Sequence, residues 1–248
     1  MEENKVGTFE FLAEPFHVDY TGHLTLSVIG NHLLNCAGMH ADQRGFGITK
    51  LNDNNCTWVL SRIVIEFEEF PYQYEKFSIE TWVESVYKLF TNRNFAILNK
   101  DGEPIGYARS IWAMIDLNTR KPCDLLEMHG GNITEYILEG KDCPIEGPSR
   151  IKIKATEPAM SLTAKYSDID INRHFNSVRY IEHILDLFPL EKFTETKLHR
   201  FEIAFINESH YGDTLEYYLD DNGNNTYSVE VKKKDTGEVV CRSLVSFK

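Results

Sequence analysis

Three polar residues at alternate positions, Asp170, Asn172 and His174, stand just ahead of an apolar-periodic segment at 181–188. In an extended strand or loop that spacing sets all three side chains on one side of the backbone. A helix is expected to start immediately afterwards, and helix N-termini attract anions and developing oxyanions. Acid, amide and imidazole converging at such a place are the groups with which a hydrolase holds and activates water. Each has a plainer reading when taken alone. Asp170-x-Asn172 equally suits a helix-entry turn with Asx capping, and a single histidine is most often a hydrogen-bonded structural one. Asn176 and Ser177 read as capping residues, with Ser177 as the N-cap.

The elements that must position these groups follow from periodicity. Val178, Ile181, Ile184, Leu185 and Phe188 form one helical stripe, and Pro189 stops it. A second helix is expected over 28–41, where Ile29, Leu33, Cys36, Ala37 and Ala41 recur at helical spacing. Long runs rich in Val, Ile, Phe, Tyr and Trp follow each helix and read as strands. These runs repeat. Arg62, Ile65 and Phe67 match Arg200, Ile203 and Phe205 at one separation, and the Asp101-Gly-Glu103 turn finds an echo in Asp235-Thr-Gly-Glu238. One helix followed by an antiparallel meander, twice over, is an internal duplication with α+β architecture. Two prolines and a glycine at 143–148 read as a linker, followed by a basic strand at 150–154. The expected domains are therefore 1–149 and 150–248.

Composition narrows the function classes. A formal net charge of -12 over 248 residues disfavours non-specific nucleic-acid binding, which needs a positive surface. No apolar run is long enough to span a membrane, and residues 1–5 carry no apolar leader. Five scattered cysteines without CxxC spacing argue against a zinc site or a disulfide framework, and fit a reducing cytoplasm. No metal or cofactor is expected.

The chain resembles the acyl-acyl-carrier-protein thioesterases, built as a tandem double hotdog, and looks like a bacterial, cytoplasmic member. The likeness rests on Thr21-Gly-His23, Trp58-Val-Leu-Ser-Arg62, Arg93-Asn-Phe95 and Ser110-Ile-Trp-Ala-Met114 in the first half. In the second it rests on Asp170-x-Asn172-x-His174-x-Asn176 followed by Val178-Arg-Tyr-Ile181. It implies hydrolysis of fatty acyl-carrier thioesters by Asp170, Asn172, His174 and a downstream Glu208. Glu208 or Asp170, with His174, would polarise water, while Asn172 positions water or carbonyl. Backbone N–H groups after Asn176 would face the oxyanion. Ser209 stands where plant members often carry cysteine, which favours attack by water. Plant members also carry a transit segment, whereas this chain begins close to its first strand.

The first half is expected to lack this polar set and to hold the acyl chain. Phe70 stands eight residues after Arg62, as Glu208 does after Arg200, and the helix brings only Asn31, His32 and His40. An acyl carrier protein is acidic, so docking on this chain calls for a local basic patch. Arg173, Arg179, Lys197 and Arg200 are the candidates closest in sequence to the chemistry. An acyl-CoA thioesterase would use an identical site. A non-catalytic acyl sensor would normally bring a partner domain, for which this chain has no spare segment. Acyl chain length is not legible, and neither is oligomeric state, with which a homodimer is compatible.

Overall fold

The computed structural model describes residues 5–127 and 133–248. Residues 1–4, part of the stretch read as lacking a leader, lie outside them. The chain divides into two compact units, one of Met1–Thr25 with Ile29–Gly147, the other of Leu26–Val28 with Pro148–Lys248.

The first unit runs β1 (Gly7–Leu12), α1 (Leu26–Gln43, of which Leu26–Val28 are assigned to the second unit), α2 (Ile48–Asn52), β2 (Cys56–Phe67), β3 (Lys76–Val86), β4 (Phe90–Asn99) and β5 (Pro104–Asp116). Its strands lie in the order β1-β3-β4-β5-β2, every pair antiparallel. The second unit runs β6 (Met160–Thr163), α3 (Ser177–Leu185), α4 (Leu190–Glu195), β7 (Leu198–Phe205), β8 (Thr214–Asp221), β9 (Thr226–Lys233) and β10 (Val239–Phe247). Here the order is β6-β8-β9-β10-β7, again antiparallel throughout. The two units thus share one topology, a principal helix and a five-stranded antiparallel sheet. The α+β expectation holds.

Both helices form where the apolar stripe demands. Ile29, Leu33, Cys36, Ala37 and Ala41 are buried on α1, and Val178, Ile181 and Ile184 on α3. Full burial of the Ile, Leu and Val side chains among them contributes about 1.5–3 kcal/mol each. α3 differs from expectation at both ends. Its N-cap is Asn176, not Ser177. Asn176 sits in extended backbone, and its side-chain oxygen accepts the Val178 N–H at 2.9 Å. The helix stops at Leu185, and Pro189, in extended backbone, is the N-cap of α4.

The strand expected at 150–154 does not form. Side-chain carboxylates take the place of a ladder there. Ser149 donates its N–H to Glu202 Oε2 at 2.6 Å, and the Lys154 N–H goes to Asp220 Oδ2. Among the described residues no helix is long and apolar enough to cross a membrane.

Candidate active site

Asp170 to His174 is a tight turn rather than an extended stretch. The Asp170 N–H donates to the His174 carbonyl at 2.9 Å, and the Arg173 N–H to the Asp170 carbonyl at 3.0 Å. Asp170 Oδ1 accepts the backbone N–H of Asn172 at 2.8 Å and of His174 at 3.1 Å. Arg173 completes the reversal in the left-handed region, φ +65°. The carboxylate of Asp170 therefore faces its own backbone, while Asn172 is exposed at the tip. Of the two readings of this stretch, three side chains on one side of an extended strand or loop and a helix-entry turn with Asx capping, the bonds to Asp170 Oδ1 support the Asx-type turn.

The partner segment is the exit of β7. The Ile206 and Asn207 N–H groups both go to the Val240 carbonyl, at 2.8 and 3.1 Å. Two residues opposing one is a bulge-like arrangement, and it carries Glu208 off the ladder. A bridge between His174 and His210, and a 2.7 Å bond from the Phe175 N–H to the Ser209 carbonyl, tie the two segments together. Glu208 Oε2 consequently lies 3.4 Å from His174 Nε2, with both side chains open to solvent at 40% and 28%. The Ser209 side chain is buried. At the start of α3, Asn176 takes two N–H groups: its Oδ1 accepts that of Val178 and its carbonyl that of Arg179. The Ser177 N–H is thereby left as the candidate for an oxyanion.

Sequence reasoning missed three residues. Asp168 is buried and anchors the turn from below. Its Oδ2 accepts the Lys165 N–H at 2.7 Å, its carbonyl accepts the Asn176 N–H at 2.7 Å, and its Oδ1 lies 3.1 Å from His183 Nε2. Asp168 continues the alternate-residue pattern of Asp170, which was the available signal; His183 offered only its place on the inner side of α3. The third residue is His210, whose ring stands edge-on to His174 at 5.2 Å.

The first unit carries the same turn. Asp19 N–H to His23 carbonyl (2.8 Å), Gly22 N–H to Asp19 carbonyl (3.0 Å) and Thr21 N–H to Asp19 Oδ1 (2.8 Å) repeat the bonds just described. Gly22 takes the place of Arg173 at φ +83°, and a Cβ there would come within 2.5 Å of the Tyr72 ring. His23 bridges Tyr72, ring centroids 5.4 Å apart, and the Leu24 N–H bonds the Pro71 carbonyl at 2.8 Å. The residues that replace the second unit's set are therefore Thr21, His23, Phe70 and Tyr72. The α1 residues Asn31, His32 and His40 do not occupy those places. Opposite Asp168 and His183 stand His17 and His32, two imidazoles with centroids 6.3 Å apart. Burial, and then the charge of His17, hold His32 below the usual histidine range.

The candidate docking residues are not alike. Arg173 and Lys197 are exposed. Arg179 is paired with Glu182 and donates through Nε to the Ser167 carbonyl. Arg200 is largely buried, with Nε 2.7 Å from Glu202 Oε1.

Against known proteins, the family model for the acyl-ACP thioesterase N-terminal domain matches residues 6–129, and that for the C-terminal domain matches 151–248. The chloroplastic palmitoyl-acyl carrier protein thioesterase of Gossypium hirsutum is 24% identical over 99% of this chain and 61% of its own length. The chloroplastic oleoyl-acyl carrier protein thioesterase 1 of Arabidopsis thaliana is 26% identical over 84% of this chain and 61% of its own. The chain spans about three-fifths of the length of these curated relatives. Among solved structures, an acyl-ACP thioesterase from Bacteroides thetaiotaomicron is 61% identical, covers both chains fully and superposes with a TM-score of 0.94. The 12:0-ACP thioesterase from Umbellularia californica shares the fold at 19% identity and a TM-score of 0.85, over 99% of this chain and 98% of its own. Matched by both domain models over most of its length, and built of two units of the hotdog type, the chain belongs to the acyl-ACP thioesterase family.

Proposed function

We propose that this chain hydrolyses the thioester of a fatty acyl group borne on an acyl carrier protein, releasing free fatty acid and holo-carrier in fatty acid biosynthesis. The observation that carries the reading is the His174–Glu208 pair, 3.4 Å apart and solvent-accessible beside the start of α3. Glu208 with His174 takes a proton from water as its oxygen attacks the thioester carbonyl carbon. The Ser177 N–H faces the resulting oxyanion. Collapse breaks the carbon–sulfur bond, and a thiolate of pKa near 8.5 leaves with little assistance. Asn172, exposed on the turn, positions water or the carbonyl. Asp170 shapes the turn, since its Oδ1 already accepts two backbone N–H groups. That bonding favours Glu208 as the base. The buried Ser209 is a poor nucleophile, which favours direct attack by water.

The division of labour is part of the reading: residues 150–248 carry the chemistry, and residues 1–149 hold the acyl chain. Loss of the carboxylate at Phe70 supports it. Carrier docking falls to Arg173 and Lys197, whose charges are exposed, with Arg179 and Arg200 supporting structure through Glu182 and Glu202. Five free thiols fit a cytoplasmic setting, and we keep a homodimer as the assembly to test by sedimentation.

A panel of acyl chains presented on carrier protein and on CoA, with release of thiol detected, tests the reading. Faster turnover of the carrier-bound series is expected. Preference for CoA would make the chain an acyl-CoA thioesterase, and binding without release would make it a sensor.

A further inference from the structure

We propose that His174, Glu208 and His210 form a binding site for a divalent transition metal of the zinc class, and that occupancy of this site stops hydrolysis. One donor atom from each of the three lies within 4.8 Å of the other two. The His174 Nε2 to Glu208 Oε2 distance of 3.4 Å is close to what a tetrahedral ion with arms of about 2.0–2.1 Å imposes on neighbouring ligands. The two segments are pinned together at the His174–His210 bridge, and the imidazoles stand at 86° to one another. Glu208 and His210 are 40% and 54% exposed, so an ion reaches them from solvent and their side chains can turn through the remaining distance.

The surroundings of His210 favour a ligand role. Asp213 Oδ2 accepts the His210 N–H at 2.9 Å and lies 4.0 Å from its Nδ1. At 4.0 Å the carboxylate makes no hydrogen bond to the ring, but its bond to the His210 backbone N–H fixes where the imidazole stands. Two nitrogens and one carboxylate suit zinc and its neighbours, whereas magnesium and calcium prefer all-oxygen sets. The first unit offers His23, Phe70 and Tyr72 at the same places, so the donor set belongs to the second unit alone. An ion held there occupies the lone pairs of His174 and Glu208 that would accept the proton of water. The inhibitory half of the proposal rests on the function proposed above; the binding half does not.

The test uses the full chain, stripped with a chelator and titrated with Zn2+ by calorimetry. Co2+ serves as a spectroscopic probe of coordination. One ion per chain is expected, bound about tenfold or more weakly after His210→Ala. A Cys56→Ser/Cys123→Ser variant should bind as the parent does, which separates this site from the thiol pair whose sulfurs lie 3.5 Å apart. Zn2+ should inhibit the parent as it saturates, and the concentration needed should rise in His210→Ala relative to that variant's own metal-free rate. Mg2+ should do neither. No binding, or binding unchanged by His210→Ala in a folded variant, overturns the site. His210-dependent binding without inhibition overturns the switch. Absence of hydrolysis in the metal-free chain counts against the proposed function, while calorimetry still decides the site.

Discussion

The turn at Asp19–His23 and the turn at Asp170–His174 are nearly the same object. Each closes with the same backbone bonds, each reverses through one left-handed residue, and each bridges the segment leaving the strand after the helix. Even the irregularity that frees this segment recurs. Glu68 and Glu69 both donate to the Ile105 carbonyl, at 3.0 and 3.4 Å, as Ile206 and Asn207 do to Val240. The backbone differs by one bond, the Gln73 N–H to the Gly22 carbonyl at 2.9 Å in the first unit, and the remaining differences are in side chains. Thr21 replaces Asn172, Phe70 replaces Glu208 and stacks on Phe67 at 4.3 Å, and Tyr72 replaces His210. The fold supplies the turn in both units, so the turn by itself is not the chemistry. A carboxylate within reach of the imidazole is what distinguishes the second.

The largest break in this comparison comes from exchanging that carboxylate. Glu208→Gln should lower turnover by about 10²-fold or more, because it removes the proposed base while keeping the shape. Phe70→Glu places a carboxylate opposite His23 and should leave turnover near the parent's. Initial rates on one acyl-carrier substrate, with circular dichroism to check folding, measure both.

Next in size is the support beneath the turn. Asp168→Ala leaves the Lys165 N–H without its acceptor and takes from His183 Nε2 its carboxylate partner, while Asp186 still lies 3.5 Å from Nδ1, so unfolding temperature and turnover should both fall. Turnover should drop about tenfold, with KM for a small thioester unchanged and activity partly restored by Asp168→Asn. His17→Ala, at the matching place in the first unit, should leave turnover alone. Equal losses in the two variants would mean that Asp168 serves the fold only.

Smaller effects are expected from docking and from pH. Arg173→Glu should raise KM several-fold for the carrier-bound substrate but hardly for a small thioester, and added salt should weaken the difference over a Debye length of about 8 Å. In the first unit, burial and the neighbouring Arg93 push His40 down to about 3 from an ordinary 6.5. The unfolded chain therefore binds a proton there that the folded chain refuses. Stability should be complete above about 6.5 and fall as pH drops towards about 3, and His40→Gln should flatten that part of the denaturation profile.

Much of this architecture is legible in the sequence. The buried stripes of α1 and α3 are apolar at helical spacing, and the Arg62/Arg200 register correctly paired β2 with β7 and Phe70 with Glu208 as counterparts. The turn was harder. Alternation in Asp170-x-Asn172-x-His174 suits an extended strand equally well, and only the backbone bonds to Asp170 Oδ1 decide for a turn. Its twin was hidden because Thr21 and Gly22 change the pattern while keeping the conformation. Asp168 continues the alternation of Asp170, but its pairing with His183 is not legible, since a pair fifteen residues apart joins a loop to a helix face only after both are packed.

The matched pair His174→Ala and His23→Ala puts the central claim to its most direct test. Both histidines end the same turn and face a ring across the same bridge, so a structural role would affect them alike. Single-turnover hydrolysis of an acyl-carrier thioester should fall by about 10²-fold or more for His174→Ala and stay within about threefold of the parent for His23→Ala. Comparable losses in the two folded variants would contradict the assignment of the chemistry to the second unit.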